Sequence, residues 1–210
     1  MTSPRKVIYS VGASLDGYIA SPDGSYEWLE RETRKAKGED FGMKRFFASI
    51  DTVIMGRKTY EVGVKHGMAK SGFPGMRNYV FSRTVRGGSR YGVEFVSGDP
   101  LKLVTRLKRQ PGKDIWLCGG GDLAREFLKR GALDEVGVGI VPLLVGAGRP
   151  TFPPGFAQVG LELMECKQYP TGVVVLHYRI VPRGRHPAAR SGRSRRVPRG
   201  DRAARAGRRR

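Results

Sequence analysis

The sequence predicts an α/β fold: a mixed, mainly parallel sheet of about eight strands, with helices on both faces and a C-terminal β-hairpin. Three observations predict it. Short apolar segments alternate with segments of helical period along most of the 210 residues. Strand ends pass into helix starts through glycine or hydroxyl turns, as parallel βα units require. The last two apolar segments are instead joined by a short turn at Pro170-Thr171-Gly172, which only an antiparallel pair allows.

Residues 6–13 read as a first strand, apolar at most positions and therefore central. Met43, Phe46, Phe47 and Ile50 fall at i, i+3, i+4 and i+7, one face of a helix. Residues 52–55 form a short buried strand, and Gly56-Arg57-Lys58-Thr59 leads into another helix. Residues 78–81 and 93–96 are strands. Asp99 is an N-cap followed by Pro100 at the first helical position, and Leu103, Val104 and Leu107 supply that helix's stripe. Residues 114–118 are a strand. Gly119-Gly120-Gly121 then turns into a helix whose stripe is Leu123, Ala124, Phe127 and Leu128, ending near Gly131. Residues 135–141 are a strand, and 161–169 with 173–181 are the hairpin. Residues 28–39 read as a charged loop with Arg31, Arg34, Lys35 and Lys37.

The formal net charge is +20, which taken alone suggests a nucleic-acid partner. Its distribution divides the chain into a domain, 1–182, and a tail, 183–210. The tail holds 12 Arg and one Asp, a net of +11, and leaves +9 for the domain. Val197 is its only sizeable aliphatic side chain, so it cannot bury enough apolar area to offset its ordering entropy and is expected to be disordered. Such a tail binds polyanions weakly and with steep salt dependence. It lacks aromatics for base stacking, and the domain shows no groove-reading motif, so nucleic-acid binding stands as the alternative of another class. No apolar run approaches the roughly 18 residues of a membrane span. Cys118 and Cys166 are too few for a disulfide framework or a zinc site, and a reducing, cytoplasmic setting is expected. No His, Cys or carboxylate spacing suggests a metal.

Three consecutive strand ends carry anion-binding groups. Gly119-Gly120-Gly121 opens a helix, whose first amides are free and lie at the positive end of the helix dipole. It matches neither dinucleotide G-x-G-x-x-G nor the P-loop. Gly56-Arg57-Lys58-Thr59 places a hydroxyl and two cations at another helix start, and Ser82-Arg83-Thr84 repeats the hydroxyl-plus-Arg chemistry. Each alone has an ordinary structural reading as a tight turn or a capped helix. Together they suit one extended anion at the carboxyl edge of the sheet, a dinucleotide with an additional phosphate using both arginines.

These segments also carry a resemblance. Residues 53–61 (VIMGRKTYE), 11–20 (VGASLDGYIA), 81–84 (FSRT) and 117–123 (LCGGGDL) resemble the dihydrofolate reductases. Residues 131–135 (GALDE), 142–148 (PLLVGAG) and Phe152-Pro153 look more like the sister branch. That branch is the reductase domain of the bifunctional riboflavin-biosynthesis deaminase–reductase and its stand-alone relatives. The resemblance spans residues 5–181. It implies the dihydrofolate reductase-like fold, an NADPH-dependent oxidoreductase and a homodimer.

The resemblance also implies a site. Gly56, Arg57, Lys58, Thr59, Ser82 and Arg83 would hold the cofactor's phosphates. Gly119, Gly120 and Gly121, with Asp122 and Leu123 beside them, would lie under it, often around a cis Gly–Gly bond. Ala13, Asp16, Gly17 and Ile19 would meet the nicotinamide. An ungapped walk back from Gly56 puts Asp40 where dihydrofolate reductases carry a pterin-binding carboxylate, with Phe41 opening the substrate-side helix. Read from its own surroundings, Asp40 is equally a helix cap, and Asp16 a turn residue. Glu27 and Trp28 would lie in a loop over the substrate, although Trp28 also suits plain core. No deaminase zinc motif precedes the domain, so the reductase alone is expected. The nearest activity is reduction of 5-amino-6-(5-phosphoribosylamino)uracil, whose ribose phosphate would suit the cations of residues 31–37. A reductase of the same scaffold acting on dihydrofolate or on an unrelated small molecule is the alternative.

Overall fold

The computed structural model describes residues 4–85 and 87–182, so the tail, 183–210, lies outside the described residues. In chain order, β1 (Val7–Ser14) and β2 (Tyr18–Ala20) precede α1 (Glu27–Arg34) and α2 (Met43–Ser49). β3 (Ile50–Gly56) runs into α3 (Arg57–Lys65), followed by β4 (Arg77–Phe81), β5 (Gly88–Arg90) and β6 (Val93–Val96). α4 (Pro100–Lys108) leads to β7 (Asp114–Gly119), and α5 (Gly121–Lys129) to β8 (Glu135–Val141). β9 (Arg149–Pro150) precedes a hairpin of β10 (Gly160–Gln168) and β11 (Val174–Val181).

The main sheet runs β10-β11-β8-β1-β7-β3-β4-β6-β5. Its six central strands, β8 to β6 in that order, are parallel. β11, β10 and β5 are antiparallel to their neighbours. The eight expected strands are all present, and β5 is a ninth. It is a fully exposed Gly-Ser-Arg edge with no apolar residue, so no hydrophobic period betrays it. β2 and β9 form a separate two-stranded ribbon, also too short to read from pattern.

A second correction concerns residues 28–39. The expected loop begins with helix α1, so Glu27 and Trp28 are helical. Only Trp28 and Leu29 are apolar there, so the stripe is too short to show a period. The helix is supported by charge instead. Glu27 and Glu30 occupy its first turn and Arg31 and Arg34 its last, each complementing the helix dipole. Lys35 Nζ lies 2.8 Å from the buried Glu32 carboxylate one turn back.

Strand alternation divides the core between the two faces of the sheet. Tyr9, Ile54, Ile115 and Leu117 pack against Leu103, Val104 and Leu107 of α4 and Ala124, Phe127 and Leu128 of α5. On the other face Val53, Met55 and Trp116 meet Phe46 and Phe47 of α2 and Tyr60 of α3. Trp116 is ringed by Phe73, Phe46 and Phe47 at centroid separations of 4.8, 5.5 and 5.7 Å. Its indole N–H donates to the Ser10 carbonyl at 2.9 Å, so this large side chain is buried with its polar atom satisfied. A smaller cluster of Trp28, Val141, Tyr169 and Val173, with Phe41 at its margin, lies under α1.

The amino edge of the sheet is closed by charge. Buried Arg5 pairs with Asp51 and donates to Thr52 Oγ1 at 2.7 Å. Buried Glu135 accepts from Lys6 Nζ at 2.8 Å, and His177 Nε2 lies 2.9 Å from its other oxygen. The opposite edge carries the carboxyl ends of the parallel strands and opens onto the helix starts.

Candidate active site

The parallel order brings the carboxyl ends of β1, β3, β4, β7 and β8 to that open edge. Met55 pairs with Gly119, so the turn from β3 into α3 and the turn from β7 into α5 are neighbours. The Gly119–Gly120 peptide is cis, and Gly119 has φ +133°, a conformation that side chains reject. Thr59, in the first turn of α3, faces this bend: a Cβ on Gly120 would stand 3.3 Å from Thr59 Oγ1. From behind, a Cβ on Gly121 would stand 2.5 Å from the Pro150 carbonyl oxygen. Each glycine of the run therefore answers a separate local demand.

The N-caps of α3 and α5 are Gly56 and Gly120, and neither end has a side-chain cap. The start of α1, at Tyr26, also lacks a side-chain cap, whereas carboxylates serve the starts of α4 and α2. Asp99 caps α4 by accepting from Leu101 N at 3.0 Å. Asp40 accepts from Gly42 N and Lys44 N, both at 3.0 Å, at the start of α2. Two uncapped N-termini thus converge at Thr59 and Gly120, and both aim free amides and positive dipole ends at one place. That is the chemistry of a phosphate site.

Gly56 pairs with Phe81, so the turn after β4 adjoins the same place. Buried Ser82 shapes it, its hydroxyl oxygen accepting from Val85 N at 2.8 Å and Thr84 N at 3.2 Å. Arg83 is exposed at its tip. Arg57 Nη1 lies 3.1 Å from Glu61 one turn along α3, a half-exposed pair, and Lys58 is exposed beside it. Asp122 and Leu123 belong to the first turn of α5. Asp122 pairs with Arg125 at 3.2 Å, and Leu123 packs against the core.

The loop after β1 is tied down. Asp16 accepts from Gly146 N at 2.7 Å and from Val145 N at 3.1 Å. A hydrogen bond with Ser14 and these two amides hold its carboxyl below the ordinary value. The Gly17 carbonyl accepts from Thr151 N and Oγ1, both at 2.8 Å, and Tyr9 Oη donates to the Thr151 carbonyl at 3.0 Å. Ala13 is buried at the end of β1 and Ile19 is half-buried in β2. The segment 143–151 is thus the scaffold of this loop, a partnership across about 130 residues that no local pattern signals.

On the opposite side of β1 lie the four expected substrate residues. Both Asp40 oxygens are engaged by the α2 amides, Lys44 and Gly42, which hold the carboxyl below its usual range. This is the capping geometry. Phe41 meets Tyr169 edge-on at 4.9 Å. Glu27 is exposed, whereas Trp28 is 8% exposed and its indole N–H has no hydrogen-bond partner among the described residues. A buried unpaired donor of this kind suits a ligand acceptor. Sequence reasoning missed Tyr26, the residue before α1, and gave His66, at the end of α3, no role. Their rings stack at 4.6 Å, and their separation of 40 positions hides the contact. Among the described residues no group of three or more His, Cys, Asp or Glu could hold a metal, and no helix is long and apolar enough to cross a membrane.

This arrangement has relatives. Residues 5–175 match the RibD C-terminal domain family. The chain is 35% identical over 175 residues to the uncharacterised protein YwjB of Bacillus subtilis (strain 168), covering 83% of this chain and 97% of that one. A putative riboflavin biosynthesis protein from Shewanella sp. PV-4 has a similar structure. Its TM-score is 0.73 at 22% identity, covering 84% of this chain and 99% of that one. A diaminohydroxyphosphoribosylaminopyrimidine deaminase/5-amino-6-(5-phosphoribosylamino)uracil reductase from Thermotoga maritima aligns with TM-score 0.61 at 15% identity. There the match covers 85% of this chain and 57% of that one. At these identities the two structural neighbours establish a shared dihydrofolate reductase-like fold.

Proposed function

We propose, from the premise that the chain belongs to the RibD C-terminal domain family, that it is an NADPH-dependent reductase of the riboflavin-pathway type. The observation that carries the cofactor is the meeting of two uncapped helix N-termini at Thr59 and Gly120. Arg57 and Arg83 stand on adjoining turns, where an anion held at those amides would come within their reach. The pyrophosphate takes the helix amides, and the 2′-phosphate takes charge-assisted bonds from the arginines. Ala13, Gly17 and Ile19 form the nicotinamide side, on a loop that Asp16 and Thr151 hold in place.

When bound, the cofactor supplies the hydride, and the protein supplies orientation and exclusion of water. The substrate is a flat pyrimidine with a phosphorylated ribose-derived chain, of the 5-amino-6-(5-phosphoribosylamino)uracil type. It takes the side bounded by α1 and α2, where the Trp28 indole N–H is unpaired. Glu27, Phe41 and the backbone-held Asp40 border that side. Exposed Leu161, Leu163 and Met164 on edge strand β10 support a homodimer through the hairpin. The two free cysteines support a reducing, cytoplasmic setting.

The test is oxidation of NADPH by the purified full-length chain with the ribosylamino-pyrimidine as acceptor. Turnover supports the reading. Turnover with dihydrofolate alone moves the assignment to that substrate, and binding of NADPH without turnover of either narrows the reading to a reductase of another small molecule.

A further inference from the structure

We infer that Tyr26 and His66 determine substrate specificity, their polar ends hydrogen-bonding the edge of the flat heterocycle that the proposed reductase reduces. This rests on the pyrimidine-reductase reading above.

The two rings come from different elements. Tyr26 is the N-cap of α1, and His66 is the C-cap of α3. They stack with centroids 4.6 Å apart and planes inclined by 34°. Both are half-buried, and among the described residues neither Tyr26 Oη nor the His66 ring has a hydrogen-bond partner. A stack that only packed two elements together would need no polar tips. Here a phenol and an imidazole, each able to donate and to accept, are held side by side with both functions spare.

Their place in the fold points to substrate rather than cofactor. α1 lies over the carboxyl half of β1: a Cβ on Gly12 would stand 2.7 Å from Leu29. Cys118 lies at the end of β7, just before the Gly119–Gly120 turn. Burial, the Glu30 carboxylate and the Cys118 thiol together hold the Tyr26 hydroxyl above its ordinary value. The pair therefore stands on the α1–α3 side of the strand ends, on the opposite sheet face from α4 and α5. The neighbouring Cys118 and Met68 pack on the core of that face, and Leu29 covers Gly12. Tyr26, His66 and the Trp28 indole N–H, beside the exposed Glu27, can read a heterocycle's carbonyl and amino edge.

Tyr26→Phe and His66→Phe keep a stacked ring and remove the polar tip, so a purely structural role survives both. The full-length protein, saturated with NADP+, is titrated calorimetrically with 5,6-diaminouracil, with NADP+ affinity and thermal midpoint measured alongside. Each variant is expected to bind the pyrimidine about tenfold more weakly, the loss of one or two hydrogen bonds, with NADP+ binding unchanged. Unchanged pyrimidine affinity in both overturns the inference and leaves the reductase reading intact. No pyrimidine binding by the parent protein removes that reading and this inference with it. A variant that loses thermal stability and NADP+ affinity together identifies the pair as structural and also overturns the inference.

Discussion

Thr59 Oγ1 lies so close to Gly120 that a Cβ there would approach it to 3.3 Å. This contact joins the starts of α3 and α5, and it puts the amides of both helices around one point. A single phosphate group near Thr59 would meet donors from two strand–helix turns. The cofactor reading depends on that convergence more than on any one motif.

The glycine run is also a packing device. Gly121 is the first residue of α5, where alanine would ordinarily be the better helix former by about 1 kcal/mol. Its Cβ would meet the Pro150 carbonyl at 2.5 Å and the Pro153 ring at 2.8 Å. Gly121→Ala is therefore expected to destabilise the protein by about 1–3 kcal/mol, seen as a lower urea midpoint. An increase in midpoint would mean that β9 yields without cost.

The loop that carries Gly17 and Ile19 is held through Asp16. Asp16→Ala removes the acceptor for Val145 N and Gly146 N. Hydrogen exchange at those two amides should accelerate, while exchange in the central strands β7 and β3 stays unchanged. Unaltered exchange at Val145 and Gly146 would show that Thr151 suffices to hold the loop.

Acid sensitivity should originate at the amino edge of the sheet. His177, then Lys6, stabilise the Glu135 carboxylate against the cost of burial and bring its pKa from 4.5 down to about 2. A carboxyl with a depressed folded value stabilises the protein above its unfolded value, and the benefit is lost as pH falls from about 4.5 to about 2. The full shift corresponds to about 3 kcal/mol. Glu135→Gln should flatten the fall in urea midpoint across that pH range. An equally steep fall in the variant would assign acid sensitivity to other carboxylates.

The tail is proposed as an appendage that binds polyanions. A chain ending at Pro182 should lose weak duplex DNA binding and keep its NADPH affinity. In the full chain, DNA affinity should fall steeply with salt. Salt-independent DNA binding by residues 1–182 would instead favour a nucleic-acid function of the domain.

Eight strands and four helices were legible because each carries its own period or cap. Asp99-Pro100, for example, signals α4 within two residues, and the structure has Asp99 accepting from Leu101 N. α1 was not legible, since its support is charge pairing around only two apolar side chains. β5, β2 and β9 are too short to show alternation. At the site, the Gly56 and Gly119 turns could be read locally, because strand–helix junctions are local. The clamp of Asp16 on residues 145–146 and the Tyr26–His66 stack could not, because both are made only by the tertiary fold. Asp40 reads as a carboxylate at a helix start from either viewpoint, and its two amide bonds give it a capping geometry.

In the proposed reductase, Arg57 and Arg83 hold a phosphate that NADPH carries and NADH lacks. The direct test is the dissociation constant of each cofactor for the parent chain, Arg57→Ala and Arg83→Ala. Each charge-assisted contact is worth about 1.5–3 kcal/mol, so each variant should weaken NADPH roughly ten- to hundredfold. NADH affinity should change little. Equal losses for the two cofactors, or a parent chain that prefers NADH, would contradict the placement of the 2′-phosphate at these two arginines.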